Sequence, residues 1–198
     1  MKIAVLGATG QTGRHLVAQA VDRGHEVTAL ARTPSPWPGV RVVQADVSLP
    51  ETILAAVADA DVVLSALGVV KGQDPRILSE GAALVASSGR RLIWLGALGA
   101  GATTGALGPV NNALLRKVLH DWQAKQDAEQ SVLTTGGTVI AAGILTNRPY
   151  QSNGHLVPAP GLRRHFPPLA PRAGIATLML TEAEHPTFPG GTAVALFG

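Results

Sequence analysis

The fold is decided by the stretch Lys2-Ile3-Ala4-Val5-Leu6-Gly7-Ala8-Thr9-Gly10-Gln11-Thr12-Gly13. From Ile3 to Leu6 it is apolar without alternation, the pattern of a strand buried on both faces of a parallel sheet. Gly7, Gly10 and Gly13 then follow at a spacing of three, and a helical apolar pattern starts at once with His15, Leu16, Val17, Ala20 and Val21. Strand, glycine turn and helix together bring backbone N–H groups and the positive end of a helix to one point, as a phosphate requires. One glycine makes the sharp turn, one lets backbone approach oxygen, and one lets helix pack on strand. Thr9, Gln11 and Thr12 add hydroxyl and amide donors. The turn therefore reads as the pyrophosphate site of a dinucleotide, against the plainer alternative of a glycine turn without a ligand.

The rest of the chain repeats the alternation. Apolar strand patterns are expected at Glu26–Ala31, Val40–Gln44, Asp61–Ser65, Arg91–Leu95, Thr138–Ala142 and Thr192–Phe197. Helical patterns are expected at Glu51–Ala58, Arg76–Ser88, Ala113–Thr134 and Arg172–Glu184. Ser48 and Glu51 have capping-box spacing, Asp74-Pro75 reads as an N-cap followed by a first-turn proline, and Gly24 closes the first helix. Such alternation implies right-handed βαβ units, and hence an α/β, Rossmann-type, doubly wound parallel sheet with helices on both faces. The whole chain, 1–198, is expected to be one such domain. Glycine-rich 96–112 and proline-rich 143–171, the latter with room for a short extended pair, read as loops on the substrate side. Ligands on these sheets bind beyond the carboxyl ends of the strands, so the loops after the first five strands should meet in one crevice.

The end of the second strand should lie beside the adenosine ribose. An NAD site has Asp or Glu there; this chain has Ala31-Arg32, and a guanidinium suits a 2′-phosphate by charge and by bidentate geometry. The expected cofactor is therefore NADP(H). Asp46 is expected to accept from the adenine amino group, and the Val47 amide to donate to a ring nitrogen. Leu67 and Gly68 should let the backbone pass close to the ribose. Arg41 reads as solvated. Trp37 reads either as an adenine-stacking group or as a cover over the core.

At the reacting end the informative residue is Lys125. It falls on or beside the stripe formed by Leu115, Val118, Leu119, Trp122, Ala128, Val132 and Leu133. A lysine there is costly unless it reaches polar groups of a ligand, such as a ribose hydroxyl on the nicotinamide side, or snorkels at the stripe edge. His120, His155 and His165 are candidate proton donors by chemistry, each set against an ordinary surface position. Asp121 and Glu129 read as part of the solvated helix face.

Composition excludes several classes. The chain has no cysteine, which rules out disulfides, zinc–thiolate sites and a cysteine nucleophile within it. The net charge of +3 comes from dispersed basic residues, which suits a small anionic ligand and not a nucleic acid. No stretch of about 18 apolar residues occurs, so no membrane span is expected, and the default compartment is the cytoplasm.

Gly7-Ala8-Thr9-Gly10-Gln11-Thr12-Gly13-Arg14, with Gly24-His25-Glu26-Val27-Thr28-Ala29-Leu30-Ala31-Arg32, resembles the atypical short-chain dehydrogenase/reductases. Within these it is most similar to the NADPH-dependent flavin reductase and biliverdin reductase B group and its NmrA-like relatives. Ala45-Asp46-Val47, Leu67-Gly68, Ser79-Glu80-Gly81-Ala82 and Lys125-x-x-x-Glu129 follow in the same order. The resemblance covers nearly the whole chain and is strongest before residue 90. It implies NADPH and hydride transfer to a small-molecule acceptor such as a flavin or quinone.

The departures all fall at the reacting end. Where many short-chain reductases have Tyr four residues before the lysine, this chain has Asp121. The serine usual after the fifth strand is replaced by Gly96-Ala97, and the Arg-Pro pair after the sixth by Ala141-Ala142. Tyrosine-based carbonyl chemistry and the sugar-nucleotide epimerases, which also have a larger substrate domain, fit poorly. A flavin-type acceptor asks mainly for stacking geometry. The rival expectation is a non-catalytic, NADP(H)-sensing regulator of the NmrA type.

Overall fold

The glycine-terminated strand forms as expected: β1 spans Lys2–Leu6 and lies inside the sheet, parallel to β2 (Glu26–Ala31) on one side and β4 (Val62–Ser65) on the other. The computed structural model describes residues 1–70, 72–109, 111, 113, 121–150 and 153–198. β3 (Arg41–Gln44) extends the sheet beyond β2; β5 (Arg91–Ala97), β6 (Thr138–Ala142) and β10 (Thr192–Phe197) extend it beyond β4. β8 (Gly154–Pro158) closes the far edge, so the order is β3-β2-β1-β4-β5-β6-β10-β8. All pairings are parallel except β10 with β8. β7 (Ile144–Thr146) and β9 (Leu169–Pro171) form a separate parallel pair, which is the short extended pair expected in 143–171.

β1 shows why its apolar run does not alternate. Ile3 and Val5 face one way, where α1 (Gln11–Asp22) supplies Leu16, Val17 and Ala20. On the same side α5 (Arg172–Glu184) supplies Ile175 and Met179. Ala4 and Leu6 face the other way, toward α2 (Pro50–Val57), α3 (Arg76–Ser87) and α4 (Trp122–Thr134), which bury Ile53, Leu78, Val85, Ala128 and Val132. Both faces of the strand are covered, so both sets of positions must be apolar. The result is a Rossmann-type α/β fold with helices on both faces of a mostly parallel sheet.

Two local expectations change, and a third falls partly outside the described residues. The Ser48–Glu51 capping box does not form: Leu49 occupies the N-cap of α2, the Ser48 hydroxyl donates to Asp46 Oδ1 (2.8 Å), and Thr52 Oγ1 donates to the Leu49 carbonyl (2.6 Å). The segment 96–112 is not an open loop throughout. β5 continues to Ala97, a 3-10 turn spans Gly101–Thr103, and Leu98, Ala106 and Leu107 are buried against Ala141, Ala159 and Val194. The third concerns the long helix expected from Ala113. α4 is described from Trp122, and the stripe residues Leu115, Val118 and Leu119 lie outside the described residues. No helix among the described residues is long and apolar enough to cross a membrane.

Candidate dinucleotide-binding site

A crevice of about 610 Å³ runs along the carboxyl ends of the parallel strands. At one wall is the glycine turn. Gly7 has φ +77°, and a Cβ on it would stand 2.9 Å from the Ala66 carbonyl oxygen, so only glycine makes this turn without strain. A Cβ on Gly13 would lie 2.1 Å from the Gly7 carbonyl oxygen; its absence is what lets α1 seat against β1. Gly10 is the N-cap of α1, and that helix has neither a side-chain cap nor an acidic residue in its first turn. Its leading N–H groups are thus left for an external acceptor, as at other anion-binding helix starts. Gly7, Thr9, Gly10, Gln11 and Thr12 all line the crevice; Gly13 lies behind it.

Arg32 leaves β2 exposed and lines the same crevice. Val47, Leu67 and Gly68 line it too, and a Cβ on Gly68 would meet nothing within 4 Å, which leaves this wall open to a ligand. Asp46 is placed differently. Its carboxylate accepts from the Ser48 amide (2.9 Å) and hydroxyl (2.8 Å), is not part of the lining, and is held below the usual carboxylate range by those two bonds. Trp37 packs against the core on the α1 side, which resolves its two readings in favour of a cover. Arg41 is exposed at the start of β3 and outside the lining.

The other end of the crevice is built from Gly96 and Ala97 of β5, Ala142 at the end of β6 and Gly143 after it, Leu145 of β7, and Asp121, Lys125 and Arg172. Lys125 is brought there as the helical spacing implied. Its Nζ donates to Asp121 Oδ2 one turn earlier, and the two side chains are 23% and 17% exposed. Asp121 is therefore a wall of the crevice and not part of a solvated face. Arg172, at the start of α5, is an addition that sequence reasoning missed; its Nη1 donates to Asn147 Oδ1 (2.9 Å), an arrangement fixed by loop geometry. His155 on β8 and His165 are exposed and outside the lining, and His120 lies outside the described residues.

The larger correction is Glu129. It is 1% exposed. Its Oε1 accepts from the Ala97 N–H (3.3 Å), and its Oε2 has no partner among the described residues. Burial pushes the carboxyl up to about 7, against the Ala97 hydrogen bond and the Lys125 charge, which pull it down. The signal was available: Glu129 stands between Ala128 and Val132 on the buried side of α4, four residues after Lys125. Two glycines make its place. A Cβ on Gly96 would be 2.6 Å from Oε1, and one on Gly101 2.0 Å from Oε2. No group of three His, Asp or Glu residues among those described could hold a metal ion.

Comparison with known proteins agrees with this geometry. Residues 7–186 match the NAD(P)H-binding family. The uncharacterized protein YwnB of Bacillus subtilis (strain 168) is 33% identical over 90 residues, 43% of this chain and 40% of that protein. The chain spans less than half the length of the curated relatives it matches. Among solved structures, SP1627 of Streptococcus pneumoniae TIGR4, a proposed NADH-flavin reductase, superposes with a TM-score of 0.79 at 20% identity over 100% of both chains. A short-chain dehydrogenase/reductase from Veillonella parvula DSM 2008, solved with NADP, gives 0.78 at 17% identity, covering 98% of this chain and 94% of that one. These two share the fold.

Proposed function

The chain belongs to the NAD(P)H-binding family, and on that premise we propose that it is an NADPH-dependent reductase acting on a flat conjugated acceptor such as a flavin or quinone. The observation that carries the reading is the make-up of the crevice. One end joins the glycine turn to Arg32, and the other is walled beside Lys125 by the small residues Gly96, Ala97, Ala142 and Gly143. The cradle fits a dinucleotide because Gly7 and Gly13 stand where any Cβ would collide, while the start of α1, which has no side-chain cap, lines the crevice.

In this reading the amides of the turn, with Thr9, Gln11 and Thr12, bind the pyrophosphate. Arg32 binds the 2′-phosphate, and Val47, Leu67 and Gly68 line the adenosine side. Lys125 orients the ribose of the nicotinamide half, with Asp121 holding its ammonium in place. The bound cofactor supplies the hydride. The segments 96–112 and 143–171 shape the acceptor side, where positioning and exclusion of water are the protein's contribution.

A second reading is a regulator that senses NADP(H) without turnover. It is favoured by Asp121, an ion-paired carboxylate at the place of the usual tyrosine. Purified protein mixed with NADPH and a panel of FMN, riboflavin and quinones, followed by NADPH absorbance, separates the two. Turnover is expected. Tight NADPH binding with no turnover of any acceptor favours the regulator.

A further inference from the structure

Beneath the reacting end of the crevice lies a second, much smaller hollow of about 50 Å³. Its lining includes Glu129, Lys125, Gly96, Ala97, Leu67 and Gly68, and all of these except Glu129 also line the crevice above. The hollow therefore lies between the buried carboxyl and the place assigned to the nicotinamide. It is large enough for one water molecule, whose share of liquid volume is about 30 Å³.

The surroundings of the two carboxyl oxygens decide where a transferable proton would sit. Glu129 Oε1 already accepts from the Ala97 N–H. Oε2 is buried against Gly101, which is not part of the hollow's lining, whereas Oε1 lies beside Gly96, which is; a proton on Oε1 leaves that oxygen a lone pair for Ala97 and gives an O–H for which a water in the hollow is the acceptor. The elements packed around it add little charge. α3 contributes Leu78, β5 contributes Trp94 and Leu95 beside Gly96 and Ala97, the 3-10 turn contributes Gly101, and β6 contributes Val139 against Gly96. Lys125, on the same helix and tied to Asp121, is the one other charged residue lining the hollow among those described.

We propose that Glu129 is the proton store of the reducing site, passing a proton on its Oε1 through one water in this hollow to the acceptor in the crevice. The inference rests on the reductase reading above. Reduction by a hydride gives the acceptor two electrons and one hydrogen nucleus, and leaves it one proton short of the neutral dihydro form. That proton leaves Oε1, the Oε1–H bond breaks, and the carboxylate formed is favoured by the nearby Lys125 charge. Solvent entering the crevice past Lys125 and Asp121 then returns one proton to Oε1, and the cycle balances. Glu129 touches neither cofactor nor acceptor and so acts as a positioning residue, through the water it holds. The missing tyrosine is thereby answered from behind the strand and not from within the crevice.

The substitution that tests this is Glu129→Gln, which keeps a carbonyl to accept from Ala97 and removes the titration. The first measurement is an infrared titration of wild type and variant, with and without NADPH and with no acceptor present. A protonated carboxyl band that titrates near neutrality in wild type and is missing in E129Q is expected. Without such a band the proposal is overturned, and the reductase reading stands. The second is pre-steady-state reduction of FMN and of a quinone across the pH range. Wild type should slow as pH rises through neutrality, while E129Q should be slower by at least about tenfold at acid pH and lack that limb, with NADPH affinity unchanged. A variant with the wild-type rate and limb overturns the proposal. Failure of the wild type to reduce any acceptor sinks the reductase reading, and this inference with it, even where the carboxyl titrates as expected.

Discussion

Replacing Glu129 by glutamine should change the pH dependence of stability as well as that of catalysis. In the unfolded chain this carboxyl ionises near its ordinary value of 4.5; in the folded protein burial holds the proton to about 7. Between those two values the native state binds more protons than the unfolded one, so stability falls as pH rises. The contribution is fully present below the unfolded value, is lost as pH rises through about 7, and is flat above that. At 1.36 kcal/mol per unit the loss is about 3 kcal/mol, a large share of the stability of a domain this size. The amide of the E129Q variant has no such transition, so the stability of E129Q relative to wild type should improve by about 3 kcal/mol between mildly acid and mildly alkaline pH. Urea unfolding of both proteins at the two pH values measures the difference, and every other titrating group cancels to the extent that it does not couple to this one. Parallel stability curves for the two proteins would refute the reasoning, because Glu129 would then be ionised in the fold throughout.

Gly13→Ala should destabilise by roughly 1–3 kcal/mol, since its Cβ would have to displace backbone from 2.1 Å at the Gly7 carbonyl oxygen; wild-type stability on urea unfolding would mean that α1 does not seat on β1 as described. Lys125→Met should weaken NADPH and NADH alike, by about tenfold each, because the ribose it serves is common to both. Calorimetric titration checks this, and loss for one nucleotide alone would move Lys125 to the adenosine end.

What the sequence disclosed, and what it withheld, follows from the range of the interactions involved. The glycine turn, the ends of β2 and β6 and both bounds of α5 are set by residues near in sequence, and they were legible at once. Arg32 was legible because the register of β2 against β1 carries its end to the crevice. At Asp46 the sequence reading left out a local partner, Ser48, whose amide and hydroxyl both donate to Oδ1. Leu98, Ala106 and Leu107 were read as loop because their partners Ala141, Ala159 and Val194 lie far along the chain. Arg172 depends on the path from β7 to β9, and β8 joins the sheet antiparallel, neither of which leaves a periodic trace. Glu129 was misread because charge was weighed above position: the stripe on α4 had already placed it inside, and Gly96 and Gly101 supply the space.

The central claim is that the glycine turn and Arg32 together hold NADPH, and the most direct measurement is calorimetric titration of wild type and Arg32→Ala with NADPH and with NADH. Wild type should prefer NADPH. R32A should lose about ten- to a hundredfold in NADPH affinity, the value of charge-assisted hydrogen bonds to a phosphate, while its affinity for NADH stays nearly constant. Equal losses for the two nucleotides, or no binding of either by the wild type, would contradict the account.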